Sequence, residues 1–221
     1  MYSEFEEFDE SEIEKPILTM IELIIIRHGE TTENAGNICQ GQQHGCLSEL
    51  GIQQARNLAS SLKDELIDVV FSSDLRRAMD TANEVLKFHP TLNLQTDPLL
   101  RERSLPLWEG KPFPENWKWE YLPQGSETNE DMMDRASKFI EKLLANHDGQ
   151  CVVAVTHGGL IRAFRTVIAN QPASYYFSWD VSKNTSVSRV ELHRDGKHKL
   201  VEINNTDHLD LETPGTAQLF S

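Results

Sequence analysis

Two histidines, a strand-end arginine and a distant carboxylate define the chemistry open to this chain. Arg27-His28-Gly29-Glu30-Thr31 comes straight off the strand-like run Ile21-Glu22-Leu23-Ile24-Ile25-Ile26. A histidine and a cation at the carboxyl end of a buried strand sit where open α/β sheets bind ligands. Arg27 beside His28 suits an anion, above all a phosphate. His157 repeats the arrangement, after Cys151-Val152-Val153-Ala154-Val155-Thr156 and before Gly158-Gly159. Phosphoryl transfer needs an in-line nucleophile, cations on the oxygens and a proton for the leaving oxygen. His28 can be that nucleophile if one ring nitrogen is neutral and aimed, and charge repulsion from Arg27 favours the neutral ring. A phosphohistidine would form and be hydrolysed by water.

Further cations follow in Ser72-Ser73-Asp74-Leu75-Arg76-Arg77-Ala78, where a strand end meets a helix start. The helix that begins at Gly158 adds backbone donors and a favourable dipole. Glu102, in Leu99-Leu100-Arg101-Glu102-Arg103, is the candidate acid for the leaving oxygen. Each residue alone also has a plainer reading. Arg27-His28 can be a strand-end ion pair, and Arg76 or Arg77 a helix-surface charge. Glu102 can be salt-bridged to its flanking arginines, and His157 can be a helix cap.

These residues need elements to hold them, and strand and helix signals alternate along the chain. After the strand at 21–26 and a Gly- and Gln-rich loop, Ser48 is the expected cap of a helix with Ala55, Leu58, Ala59 and Leu62 on one face. Residues 66–71 read as a strand, and Leu75, Ala78, Met79, Ala82, Val85 and Leu86 as one helix face. Ser126 is read as the cap of a long helix carrying Met132, Ala136, Phe139, Ile140 and Leu143. Leu160, Ile161, Phe164 and Ile168 mark the helix after His157. Residues 187–193 and 198–204 flank Asp195-Gly196 as a hairpin. The expectation is an α/β fold, a three-layer α/β/α sandwich with a mainly parallel central sheet and an antiparallel edge.

Composition narrows the function classes. The net charge of −14 argues against nucleic acid and anionic membranes as partners. No apolar run approaches the roughly 20 residues a membrane span requires, and the acidic N-terminus is not a signal peptide. With three cysteines, Cys39, Cys46 and Cys151, and no CxxC pair, a cytoplasmic setting is expected. Cys39, His44 and Cys46 lie close in sequence, but lack a fourth ligand at finger-like spacing and read as a polar loop. Residues 1–18 read as an acidic flexible tail, 19–209 as one folded unit and 210–221 as a second flexible tail.

The motifs resemble the histidine phosphatase superfamily, in the branch that contains the cofactor-dependent phosphoglycerate mutases. Arg27-His28-Gly29-Glu30-Thr31 with Asn34 carries the resemblance, followed in family order by Gln40-Gly41, Leu47-Ser48-Glu49-Leu50-Gly51 and Ser73-Asp74-Leu75-Arg76-Arg77-Ala78. Leu100-Arg101-Glu102, Trp108-Glu109-Gly110, Gly125-Ser126-Glu127, Thr156-His157-Gly158-Gly159 and His208-Leu209 continue it. The resemblance implies that His28 is the phosphorylated nucleophile and Glu102 the proton donor. It implies a phosphate pocket of Arg27, Arg77 and His157, with Arg77 preferred over Arg76. Asn34, Gln40, Gly41 and Gly158 become further substrate and phosphate contacts, and neither a metal nor another cofactor is required. The departures from the family pattern, at His44-Gly45-Cys46-Leu47, Leu105-Pro106-Leu107 and Gln124-Gly125-Ser126-Glu127, cluster in the substrate loops.

A mutase must shield its intermediate from water with a long lid. Here only residues 103–125 separate Glu102 from Ser126, which favours water as the acceptor and hence a phosphatase for small phosphorylated metabolites. Gln40-Gly41-Gln42 and Leu100-Arg101-Glu102-Arg103 lean toward sugar-bisphosphate phosphatases. The aromatic loop 108–121 has two readings, a stacking wall at the substrate entrance or a local apolar plug. The alternatives are a cofactor-dependent phosphoglycerate mutase and a non-catalytic module that holds phosphate or phosphoprotein. Retention of His28, Glu102 and His157 together counts against the last.

Overall fold

A computed structural model of the chain describes residues 20–118 and 121–209. The two expected tails and Trp119 lie outside the described residues. The first strand, β1 (Ile21–Arg27), leads into a single helical turn, α1 (Thr32–Ala35), and then helix α2 (Glu49–Ser61). Next come β2 (Val69–Ser72), α3 (Arg76–Leu86) and a short β3 (Leu94–Thr96). The long α4 (Asn129–Asn146), β4 (Cys151–Thr156) and α5 (Gly158–Ile168) follow. The hairpin β5 (Val187–Leu192) and β6 (Lys199–Asn205) completes the sheet.

The six strands lie in the order β3-β2-β4-β1-β5-β6. β3, β2, β4 and β1 run parallel, and β5 and β6 add the antiparallel edge. Central parallel strands are buried on both faces, which is why β1 and β4 are nearly unbroken runs of Ile and Val. Alternation assigns the faces. Leu23, Ile25, Val152 and Ala154 pack with Phe139, Leu143, Ile161 and Phe164 from α4 and α5. Ile24, Ile26, Val153 and Val155 pack with Leu58, Ala82 and Val85 from α2 and α3. The result is the expected α/β fold, a mixed sheet with helices on both sides.

The local reading fails in three places. The second strand begins at Val69, not at residue 66, because a turn follows α2 and leaves Leu66 89% exposed. Thr128, not Ser126, caps α4. Its hydroxyl accepts from the Asp131 N–H, and the Asp131 carboxylate accepts from the Thr128 N–H, a reciprocal capping box. β3 was not anticipated: three residues at a sheet edge, half-buried at Leu94 and exposed at Gln95 and Thr96, carry too short a pattern to read.

Candidate active site

Sheet register explains why two histidines far apart in sequence meet. β1 and β4 are adjacent and parallel, with Arg27 opposite Thr156, so the next residue of each strand emerges at the same edge. The His28 N–H donates to the Thr156 carbonyl at 2.9 Å. The imidazole centroids of His28 and His157 lie 5.0 Å apart at an interplanar angle of 58°. This is the crevice beyond the carboxyl ends of parallel strands.

The partners of His28 fix its tautomer. Nδ1 lies 2.7 Å from the carbonyl of Gly29, which can only accept, so Nδ1 carries the proton. Arg77 Nε lies 3.3 Å from Nε2 and can only donate, so Nε2 carries the lone pair. Burial, then the charges of Arg77 and Arg27, hold the His28 pKa well below the ordinary value. Sequence reasoning anticipated the repulsion from Arg27, but burial is the larger cause. The His28 imidazole is therefore neutral, with the lone pair on Nε2.

Arg77 is fixed by its other donors. Nη1 donates to the Gln43 carbonyl at 2.7 Å and Nη2 to the Gly41 carbonyl at 2.9 Å. Gly41 adopts φ +51°, a left-handed conformation suited to glycine. Burial lowers the Arg77 pKa to about 10, and it stays a cation at neutral pH. Arg76, by contrast, is exposed and pairs with Asp80 at 3.4 Å along α3. The two neighbouring arginines thus divide into the site cation and the surface charge.

His157 stands at the N-cap position of α5 but makes no side-chain capping bond. It is fully buried, and among the described residues neither ring nitrogen has a hydrogen-bond partner. Arg27 donates through Nη1 to the Ser182 carbonyl, while its Nε is likewise buried and unpartnered. Burial, followed by the charge of Arg77, also holds His157 well below its ordinary pKa. Unpaired buried polar atoms are costly unless a ligand completes them. Here they belong to groups beside His28, whose ring lies 5.0 Å from that of His157 and feels the charge of Arg27, so an oxyanion bound there could complete them.

Glu102 is not salt-bridged to its neighbours. Arg101 turns away to pair with Asp74, and Arg103 donates to the Glu127 carbonyl and, at 2.8 Å, to Asn129 Oδ1. The Glu102 carboxylate instead accepts from the Arg103 N–H at 2.7 Å and, on its other oxygen, from the Gly159 N–H at 3.1 Å. It is therefore docked on the first turn of α5, two residues beyond His157. Glycine leaves room for it, since a Cβ on residue 159 would lie 2.1 Å from the Glu102 oxygen and push the carboxylate out of place.

A cavity of about 180 Å³ opens over these groups, lined by all the anticipated site residues except His157, which lies beneath. Asn34 has its amide oxygen engaged by the Thr31 N–H, so its NH2 is the group available to a ligand. Gln40 donates to the Thr31 hydroxyl at 2.7 Å, and the Gly41 carbonyl braces Arg77. Gly158 packs beside Arg27. Other lining residues were not anticipated: Arg103, Arg162, Tyr176 and Phe177. Nothing at helical or strand spacing marks the two aromatics. Arg162 had one overlooked cue, its position four residues after Gly158 on the same helix face.

The aromatic loop divides between its two readings. Trp108 and Phe113 each pack against Trp117, at 5.2 and 5.3 Å, and only Phe113 of the three lines the cavity. The Cys39–His44–Cys46 loop assembles no cluster. His44 accepts from the Arg76 N–H, and among the described residues no group of three or more His, Cys, Asp or Glu is placed to hold a metal.

The comparisons agree with this geometry. A sequence profile of the histidine phosphatase superfamily (branch 1) matches residues 23–206. A metal-independent phosphoserine phosphatase of Arabidopsis thaliana is 33% identical, over 92% of this chain and 89% of the relative. Phosphoglycerate mutase-like protein 4 of the same plant is 34% identical, over 70% and 74%. The solved structure of a mycobacterial glucosyl-3-phosphoglycerate phosphatase complexed with VO3 superimposes with a TM-score of 0.74 at 30% identity, covering 83% of this chain and 98% of that one. With the profile spanning the sheet and both strand-end histidines, this chain belongs to branch 1 of the histidine phosphatase superfamily.

Proposed function

We propose that the chain is a phosphatase that hydrolyses phosphate monoesters of small metabolites through a phosphohistidine on His28. The observation that supports this best is the neutral, lone-pair-bearing Nε2 of His28 beside Arg77, in a cavity that Arg27 and Glu102 also line and with the His157 ring 5.0 Å away. In the first step Nε2 bonds to phosphorus and the ester P–O bond breaks. Its electron pair goes to the leaving oxygen, which takes a proton from Glu102. In the second step water attacks phosphorus, the P–N bond breaks and the Glu102 carboxylate takes the water's proton. Arg27, Arg77, His157 and the N-terminus of α5 stabilise the equatorial oxygens throughout.

The short 103–125 stretch supports water as the second acceptor, as does the company of relatives named phosphoserine phosphatase and glucosyl-3-phosphoglycerate phosphatase. Among the described residues no helix is long and apolar enough to cross a membrane. All three cysteines are unpaired, which agrees with work in the cytoplasm on diffusible substrates. A paired assay tests the reading. Phosphate release from a panel of phosphate esters is followed beside interconversion of the two phosphoglycerates with bisphosphoglycerate present. Release without interconversion is expected, and efficient interconversion with little release would make the protein a mutase.

A further inference from the structure

We propose that Arg162 holds a carboxylate on the substrate, so that the site is built for small phosphorylated carboxylic acids. The inference rests on the phosphatase reading and adds a second contact point, away from the phosphate.

Arg162 lies one helical turn, about 6 Å of rise, beyond Gly158. Cα–Cβ bonds on a helix tilt toward its N-terminus, so the side chain leans back over Gly158 and Gly159, where no side chain blocks it. It lines the cavity, with its guanidinium carbon 5.7 Å from the Phe177 ring centroid. Among the described residues its side chain makes no hydrogen bond or ion pair, and its Nε is buried without a partner. Its neighbour Arg103 shows what a structural arginine looks like here, resting over Tyr176 with two nitrogens bonded to the protein. Glu102 and Asp180 act on its charge only at a distance, and neither contacts it, so an anion in the cavity would offset more of the cost of a half-buried cation.

The geometry selects the anion. The phosphate end is already supplied with Arg27, Arg77 and His157. Beyond those groups the cavity is lined by two guanidiniums, Arg103, whose two Nη atoms are already bonded to the protein, and Arg162, whose fork is left for a ligand, among Leu105, Phe113, Tyr176, Phe177 and Val181. A single guanidinium matches the two oxygens of a carboxylate, whereas a second phosphate dianion calls for more than one cation. The small cavity suits a short carbon skeleton between the two groups.

The test compares 3-phosphoglycerate with glycerol 3-phosphate, which carries CH2OH where the acid carries its carboxylate. The wild-type kcat/KM is expected to favour the acid by about 10- to 100-fold, the range of a charge-assisted pair. Arg162→Met is expected to bring the ratio near one, chiefly through KM, and Arg162→Lys to restore part of it. Calorimetric titration of both compounds into His28→Ala reads the same preference without turnover. If aryl phosphate is hydrolysed but acid and alcohol are treated alike, the inference fails and the phosphatase reading stands. If nothing is hydrolysed but the acid still binds more tightly, the reverse holds. A clear preference for a sugar bisphosphate over 3-phosphoglycerate also overturns the inference. Should Arg162→Met fail to fold, the wild-type ratio and the calorimetry still decide.

Discussion

Arg135 and Glu127 form a two-point pair beneath the loop that carries Glu102, Nε to Oε1 at 2.9 Å and Nη2 to Oε2 at 3.0 Å. The same guanidinium donates to the carbonyls of Leu99, Arg101 and Glu102, so one side chain from α4 sets the path of the whole segment. Glu127 returns the constraint by accepting from the Ser104 N–H at 2.7 Å. Arg135 is thus a positioning residue. Arg135→Met leaves Glu127 without its cation and the Leu99 and Arg101 carbonyls without this donor, while the Glu102 carbonyl keeps only Gln42. The expected cost is about 3 kcal/mol of stability, roughly 6–12 °C in Tm. Activity on alkyl phosphates should fall further than activity on an activated aryl phosphate, because the displaced group is the proposed proton donor. Thermal melts and the alkyl-to-aryl ratio check both. A lower Tm with an unchanged ratio would reduce Arg135 to a purely structural role.

The His28 tautomer predicts the chemical form of the intermediate. With Nδ1 held by the Gly29 carbonyl, only Nε2 is free to bond to phosphorus. Brief incubation with labelled substrate should give a base-stable, acid-labile phosphoenzyme, with the phosphoryl group on Nε2 by phosphorus NMR. His28→Ala should abolish the label and lower kcat at least about 10⁴-fold. Labelling that survives the substitution would place the nucleophile elsewhere.

How far the sequence reveals this site depends on what holds each residue. His28 and His157 are legible because an apolar run must be a strand and the residue after it must emerge at the sheet edge. Arg77 is legible only as one of two candidates. Helical geometry buries it and exposes Arg76, and local pattern at a helix start does not say which. Glu102 is legible as a type, but its detachment from Arg101 and Arg103 depends on Asp74, Glu127 and Asn129, which are distant in sequence. Asn184 escapes altogether. It donates to the His28 carbonyl at 3.0 Å from a loop with no periodic signal, and the adjoining Thr185 has a positive φ of 56° that no motif announces. The Ser48 cap and apolar face of α2 are legible locally, but the start of β2 is not, because Leu66 and Ile67 look like strand and lie in the irregular link that follows the turn after α2.

Burial of His157 makes stability depend on pH in a definite direction. Its folded pKa lies well below 6.5, the ordinary histidine value. Below about pH 6.5 the unfolded chain takes up a proton that the fold refuses, so stability is lost as pH falls. One such group contributes a slope of up to about 1.4 kcal/mol per pH unit. Urea unfolding of wild type and His157→Gln between pH 5 and 7.5 checks this, with the variant expected to show the shallower slope. Identical slopes would mean that His157 is protonated in the fold.

Glu102 sits where it can serve both half-reactions, and a change of one atom separates them. Glu102→Gln keeps one oxygen to accept from either the Arg103 or the Gly159 N–H and loses the other bond, while the Gln42 and Arg135 bonds to the Glu102 carbonyl still hold the loop. It loses the proton that an alkoxide leaving group needs, while a nitrophenolate departs without one. Loss of general acid catalysis typically costs 10²- to 10⁴-fold, and that range is expected for alkyl phosphates. Phosphoenzyme formation from the aryl ester should fall less than about 10-fold, a minor loss against the range for an acid catalyst. The second step needs the same carboxylate as a base, so the phosphoenzyme should outlive its wild-type counterpart and appear as a burst of nitrophenol followed by a slow steady state. Burst amplitude and the alkyl-to-aryl ratio are measured on one preparation. Equal losses on both substrates, with no burst, would remove Glu102 from proton transfer and leave it as a brace for the first turn of α5.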